Sequence, residues 1–302
     1  VRNLPSQSVV FGTAAVLSLL GVSPALGQEG SAEPKAPVYS PARTPDGQPD
    51  IQGYYYGSGT GLIEPSGFYG YGESSTGVNT GAYDGVWGAD RPSQAATRTA
   101  PSTPAGATQP RRPSRTDSAD GSIPYQPWAR EKKIEYIKGS VGDPRGAASI
   151  DMMDPVMRCL AAGVPRMTTG VYAYNGVQIL QPAGYVVILA EWNHLYRIIP
   201  LDGRPHLNSK MKLWMGDSRG HWEGNTLVVD WTNSNGRTWL DQTGSFHSDA
   251  IHVIERFTIV DKDTMKYEAT VEDPGIFSRP WKYFANFNRA EQADYELFEY
   301  AC

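Results

Sequence analysis

Thr264-Met265-Lys266-Tyr267-Glu268-Ala269-Thr270-Val271 decides the fold class. Met265, Tyr267, Ala269 and Val271 fall on one side of an extended chain, and Thr264, Lys266, Glu268 and Thr270 on the other. A strand has a period of two, so the spacing predicts one buried and one wet face. Just before it, Asp261-Lys262-Asp263 reads as a solvated hairpin turn, since it lacks the glycine and the bidentate glutamate of a calcium loop. Val253–Val260, Trp281–Ala285 and Tyr295–Tyr300 are further strand candidates on either side. Upstream, Tyr185–Ala190 reads as a buried strand, and Tyr196–Leu201 as another, ended by Asp202-Gly203. Thr226–Trp231 comes after Glu223-Gly224-Asn225, a hairpin signal. Pro127–Lys138 reads as a helix, with Pro127 in its first turn and Ile134 and Ile137 turned inward. About eight short strands with close turns predict a mainly β domain over 125–302. The expected architecture is an antiparallel up-and-down (lipocalin-like) barrel or a sandwich, with one short helix before it.

The whole chain is less ordinary than this domain. It has 302 residues, of which 40% are hydrophobic, with 32 glycines and 23 prolines. Lys plus Arg number 27 and Asp plus Glu 32, a net charge of -5, which argues against a nucleic-acid partner. The excess of glycine and proline gathers in residues 28–124, a segment poor in Val, Ile, Leu and Met. From Gln52 to Asp90 there are eleven glycines and eight aromatics: Tyr54, Tyr55, Tyr56, Phe68, Tyr69, Tyr71, Tyr83 and Trp87. Glycine brings no side chain to bury, so this stretch is not expected to fold alone. It reads either as a flexible linker or as an extended arm. In the second reading tyrosines and Trp87 order against a partner, as rigid faces with polar tips do at interfaces. Residues 91–115 carry five arginines, Arg111 and Arg112 among them, and no acid. This is a proline-stiffened basic tether, either solvated or laid on acidic protein or anionic lipid.

Residues 1–27 have the layout of a secretory signal peptide. Arg2 precedes a fourteen-residue apolar stretch, Val9–Val22, and small residues flank a cut after Gly27. Fourteen helical residues reach about 21 Å, short of a hydrocarbon core of about 30 Å, although an uncleaved N-terminal anchor is the alternative. The expected location is therefore the periplasm.

Catalytic signals are sparse. Gly216-Asp217-Ser218-Arg219-Gly220 matches the nucleophile-elbow pattern G-x-S-x-G, which needs Ser218 at a strand-to-helix turn and a histidine base such as His221, His247 or His252. Beyond Gly220 the chain reads as a turn and a strand, so a loop between strands is the expected structure. The five histidines (His194, His206, His221, His247, His252) show no metal-ligand spacing, and there is no phosphate-cradling loop or dinucleotide fingerprint. No metal and no cofactor is expected. Cys159 and Cys302 are the only cysteines, and in an exported chain a disulfide between them is the simplest expectation.

Six stretches taken together carry a resemblance: Arg43–Asp50, Asp154–Leu160, Glu191–His194, Met215–Asp230, His252–Phe257 and Tyr295–Cys302. They resemble a large family of exported β-rich proteins of environmental bacteria, a family that carries no activity with it. The resemblance covers about 43–50 and 120–302; the Gly/Tyr stretch at 52–90 departs from it. The combination of an exported arm and this domain also resembles an extra periplasmic subunit of a bacterial photosynthetic reaction centre–light-harvesting complex. That resemblance implies a non-catalytic structural role, with reaction-centre and light-harvesting subunits as partners and contact with the membrane surface. Two other functions are carried beside it: a periplasmic small-ligand-binding barrel, and a serine hydrolase acting through Ser218.

Overall fold

A computed structural model describes residues 39–57, 63–64, 115–140, 148–169, 176–290 and 295–301. All of them belong to one compact unit, Val38–Cys302. Among the described residues, nine strands and two α-helices are formed in the order β1 (Gly53–Gly57), α1 (Pro127–Ser140), α2 (Arg166–Thr169), β2 (Gly176–Leu180), β3 (Tyr185–Ala190), β4 (Tyr196–Pro200), β5 (Asp217–Glu223), β6 (Thr226–Thr232), β7 (His252–Ile259), β8 (Thr264–Glu272) and β9 (Trp281–Arg289). No described helix is long and apolar enough to cross a membrane.

The strands make one antiparallel sheet in the order β4-β3-β2-β1-β9-β8-β7-β6-β5. It curls until the edges β4 and β5 face each other, an almost closed barrel. The two edges meet through side chains: Arg197 of β4 donates to Ser218 of β5 at 2.8 Å. Two meanders, β2–β3–β4 and β5–β6–β7–β8–β9, are joined in the sheet only by β1, which hydrogen-bonds to β2 on one side and β9 on the other.

Alternation decides what fills the interior. Met265, Tyr267, Ala269 and Val271 of β8 are all buried, as their spacing requires, while Lys266 and Glu272 are exposed. Leu227, Val229 and Trp231 of β6, Val253 and Phe257 of β7, and Trp281, Tyr283 and Phe287 of β9 join them. Phe257, Tyr267 and Phe287 contact edge to face or tilted, with ring centroids 5.0 to 6.1 Å apart. Each such side chain contributes roughly 1.5–3 kcal/mol by leaving water.

Several expectations need correction. The segment read as an arm over 28–124 is partly barrel: Gly53–Gly57 is a paired strand, and Thr116 bridges Tyr283 of β9. A five-residue strand needs no core of its own when its neighbours on both sides supply the hydrogen bonds. Tyr295–Tyr300 is not a strand; its backbone makes an isolated bridge, Trp192 to Tyr300. The G-x-S-x-G stretch is no loop, since Asp217–Glu223 is strand β5. In α1, Ile137 is buried as expected and Ile134 only half-buried, while Lys133 has no exposed surface at all.

Candidate functional site

Ser218 points into the barrel. Its hydroxyl accepts from Arg197 Nε at 2.8 Å, and Arg197 Nη2 pairs with Glu255 Oε2. Tyr267 donates its hydroxyl to Glu255 Oε1 at 2.8 Å, and burial, reinforced by that carboxylate, pushes the phenol well above its ordinary pKa. All four side chains are buried. A guanidinium cannot take a proton from serine, so this network is no nucleophile activation. His221 lies three residues along the strand, hence on the opposite, exposed face, with Nε2 3.2 Å from Glu223. His247 bonds Thr238 and the Ser248 carbonyl, both at 2.8 Å, and His252 bonds Asp230, also at 2.8 Å. The structure therefore does not bring Ser218 and His221 together, and the hydrolase constellation is not formed. The glycines of the motif have backbone roles. Gly216 sits at φ +61, and a side chain at Gly220 would press on Ile199 and Leu201, 2.7 and 2.8 Å away, where β4 approaches β5.

Outside the barrel, His206 ties the β4–β5 connection to the wall. Its Nδ1 is 2.7 Å from Asp217 Oδ2, and its Nε2 is 3.1 Å from Asp230 Oδ1, within ion-pair range but off hydrogen-bond geometry. Arg219 holds the other oxygen of Asp217 at 2.6 Å. Among the described residues, no group of three or more His, Cys, Asp or Glu is arranged to hold a metal ion.

Near the β7–β8 turn lies a cavity of about 160 Å³, lined by Tyr39, Asp50, Gln52, Tyr55, Lys262 and Arg289 among others. It is small beside the ~300–1,000 Å³ of ordinary ligand pockets. Arg289 spans it: its guanidinium lies 4.8 Å over the Tyr55 ring and donates to the Tyr55 hydroxyl and the Gln52 carbonyl, each at 2.7 Å. Burial pushes the Tyr55 phenol up to about 12. Tyr55, expected to face a partner, is thus a core residue of the barrel. Tyr54 and Tyr56 meet the Tyr295 ring edge-on at 5.4 and 4.9 Å, so this chain already engages one face of each.

The outer face of β2–β4 shows a feature that the sequence pattern left open. Leu180, Val187 and Ile198 lie side by side across three strands, and Gln178, Leu189 and Tyr196 form the next row. Tyr196 is 62% and Ile198 51% exposed, and Leu180 is exposed as well. The signal was present in Tyr196-Arg197-Ile198-Ile199, where strict alternation allows either set to face inward. Glu255 resolves the choice by pairing Arg197 inside, which turns Tyr196 and Ile198 out.

The remaining expected contacts, Phe68, Tyr69, Tyr71, Tyr83, Trp87, Arg111 and Arg112, lie outside the described residues, as does the 1–27 segment. Cys159 is exposed; Cys302, its expected partner, also lies outside the described residues. No protein-family model matches the chain, and the comparison with curated proteins gives no match.

Proposed function

We propose that the chain is a non-catalytic structural subunit on the periplasmic side of a membrane protein complex. A photosynthetic reaction centre–light-harvesting complex is the candidate that the resemblance carries. The observation behind this reading is the apolar row Leu180–Val187–Ile198 with Tyr196 beside it on the outer wall. Soluble monomers rarely leave such contiguous apolar faces open, and aromatic side chains of this kind anchor protein interfaces. The Gly/Tyr stretch and the arginines of 91–115 would add further contacts in the same role, and a Cys159–Cys302 bridge would suit the same compartment.

The two other functions fare less well. A lipocalin-like binder needs a chamber. Here Trp231, Phe257, Tyr267 and Phe287 have at most 1% of their surface accessible, so no water-sized space adjoins them. The hydrolase reading lacks its base, as described. Substituting Ile198 by Asp tests the proposal. The wild-type chain is expected to co-purify from native membranes with a larger complex. I198D should keep the wild-type urea midpoint but migrate as free protein. A wild-type chain that runs only as a free monomer at every salt and detergent condition would refute the proposal, as would an I198D variant that stays bound.

A further inference from the structure

Lys133 is buried without exposed surface among three elements. It projects from α1 towards Asp241 and Ser245 of the β6–β7 connection and towards Glu64 of the segment at 63–64. Its Nζ lies 3.5 Å from Asp241 Oδ1 and 3.8 Å from Glu64 Oε2, and it donates to Thr243 Oγ1 at 2.7 Å and to Ser245 Oγ. Asp241 and Glu64 are buried too, and Tyr136, Trp239 and Phe246 pack over the same region. One amine thus faces two carboxyl groups away from water. Three donors converge on Asp241 Oδ1: Thr243 N at 2.9 Å, Thr243 Oγ1 at 2.8 Å and Ser245 N at 3.3 Å. Its other oxygen receives Ile63 N, at 3.3 Å. Glu64 is held by Ile123 N at 2.8 Å through its Oε1, which leaves Oε2 as the oxygen nearer the amine.

We propose that Lys133 and Asp241 join in an intramolecular amide bond, with Glu64 carrying the proton. Lysine is a competent nucleophile once desolvated, and the Lys133 amine is held 3.5 Å from Oδ1 of the carboxyl group whose Cγ it would attack. Burial raises the cost of the charged Asp241 form, but Lys133 and the converging donors outweigh it and hold the carboxyl below its ordinary range. The resting state is therefore the ion pair. Reaction starts when a proton passes from Lys133 through Glu64 to Asp241 Oδ2, giving neutral amine and neutral acid. The Lys133 lone pair then attacks Asp241 Cγ, and the negative charge gathers on Oδ1, where Thr243 N and Ser245 N sit as an oxyanion site. Glu64 takes a proton from the attacking nitrogen and returns it to Oδ2, which leaves as water. Ammonium plus carboxylate become amide plus water; atoms and charge balance, and no oxidant or reductant takes part. Glu64 ends as it began.

Mass spectrometry tests the bond on the full chain after reduction, independently of any partner. The wild-type protein is expected to be lighter than its sequence by one water, about 18 Da, and proteolysis should release the Lys133 and Asp241 peptides as one branched species. E64Q, which keeps the acceptor for Ile123 N but cannot carry a proton, should show the full mass and two separate peptides. Separate wild-type peptides would overturn the proposal, as would a water loss mapped to other residues. A branched species persisting undiminished in E64Q would overturn the role given to Glu64. The wild-type peptide map decides the bond itself even if E64Q does not fold.

Discussion

At the scale of single residues, chemistry was legible only where spacing constrained it. The strand period puts His221 opposite Ser218, but the sequence around Ser218 reads as a loop, so this separation emerges only once β5 is seen to be a strand. That Ser218 serves Arg197 was not legible, because its partner Glu255 lies on β7 and the pairing crosses the barrel. His247 shows how an isolated symbol hides its surroundings: it is buried between Thr238 and Ser248, and burial holds its pKa below the ordinary 6.5, against the opposing pull of the Ser248 carbonyl and Asp273. The unfolded chain protonates this imidazole near 6.5, whereas the folded chain resists until lower pH. Between those two points the unfolded state binds more protons, so acidification through that window favours unfolding. The urea midpoint is expected to fall as pH drops from about 7 to about 5.5, by at most ~1.4 kcal/mol per pH unit from this group. H247Q should lose that part of the slope. A wild-type midpoint that stays level through this window would contradict the assignment.

At the scale of elements, the strands that announced themselves were those with a complete alternation or a glycine turn. β8 matches its reading almost residue for residue, and the Gly224-Asn225 turn joins β5 to β6 as the hairpin signal indicated. β1 and β5 were hidden by glycine. In Gly53–Gly57 only Tyr55 points inward, too little for a pattern to show, and in β5 the inward positions are Ser218, Gly220 and Trp222, of which only the last is a large apolar side chain. α1 misled for a different reason. Its inward face holds a lysine, and a charged side chain reads as outward until its buried acids are known. The entry to β5 offers a test of how tightly such an element is set. Gly216 is left-handed, and a methyl group there would meet the Trp231 indole and lie 2.6 Å from the Thr232 carbonyl. Trp231 in turn donates to the Met215 carbonyl at 2.8 Å. G216A is expected to cost about 2–4 kcal/mol in urea unfolding, combining backbone strain with displaced packing. A loss below about 0.5 kcal/mol, the level of a neutral surface change, would show that the turn relaxes freely.

At the scale of the whole molecule, the antiparallel barrel was legible from the count and spacing of strands, but its boundary was not. The division at residue 124 cuts off β1, because a strand more than about 100 residues away from its partner in sequence leaves no local sign of the pairing. The fragment 125–302 lacks β1 and exposes the backbone edges of β2 and β9, which invite aggregation. It is expected to lack a cooperative thermal transition and to elute as oligomers, whereas 39–302 should unfold in one step and elute as a compact species. Cooperative unfolding of 125–302 would mean that the two meanders close without their link. The same placement of β1 also fixes an order in time. Each meander is built from hairpins whose strands lie close together in the chain, so each can form soon after its residues are made. β1, made before either, pairs with Ile179 and with Arg289 and so waits for the final strand. Contacts that span so much chain are slow to form. The earliest of the described strands thus gains its second neighbour only with the last of them, and until β9 exists the tyrosines of Gly53–Gly57 have β2 alone to pair with.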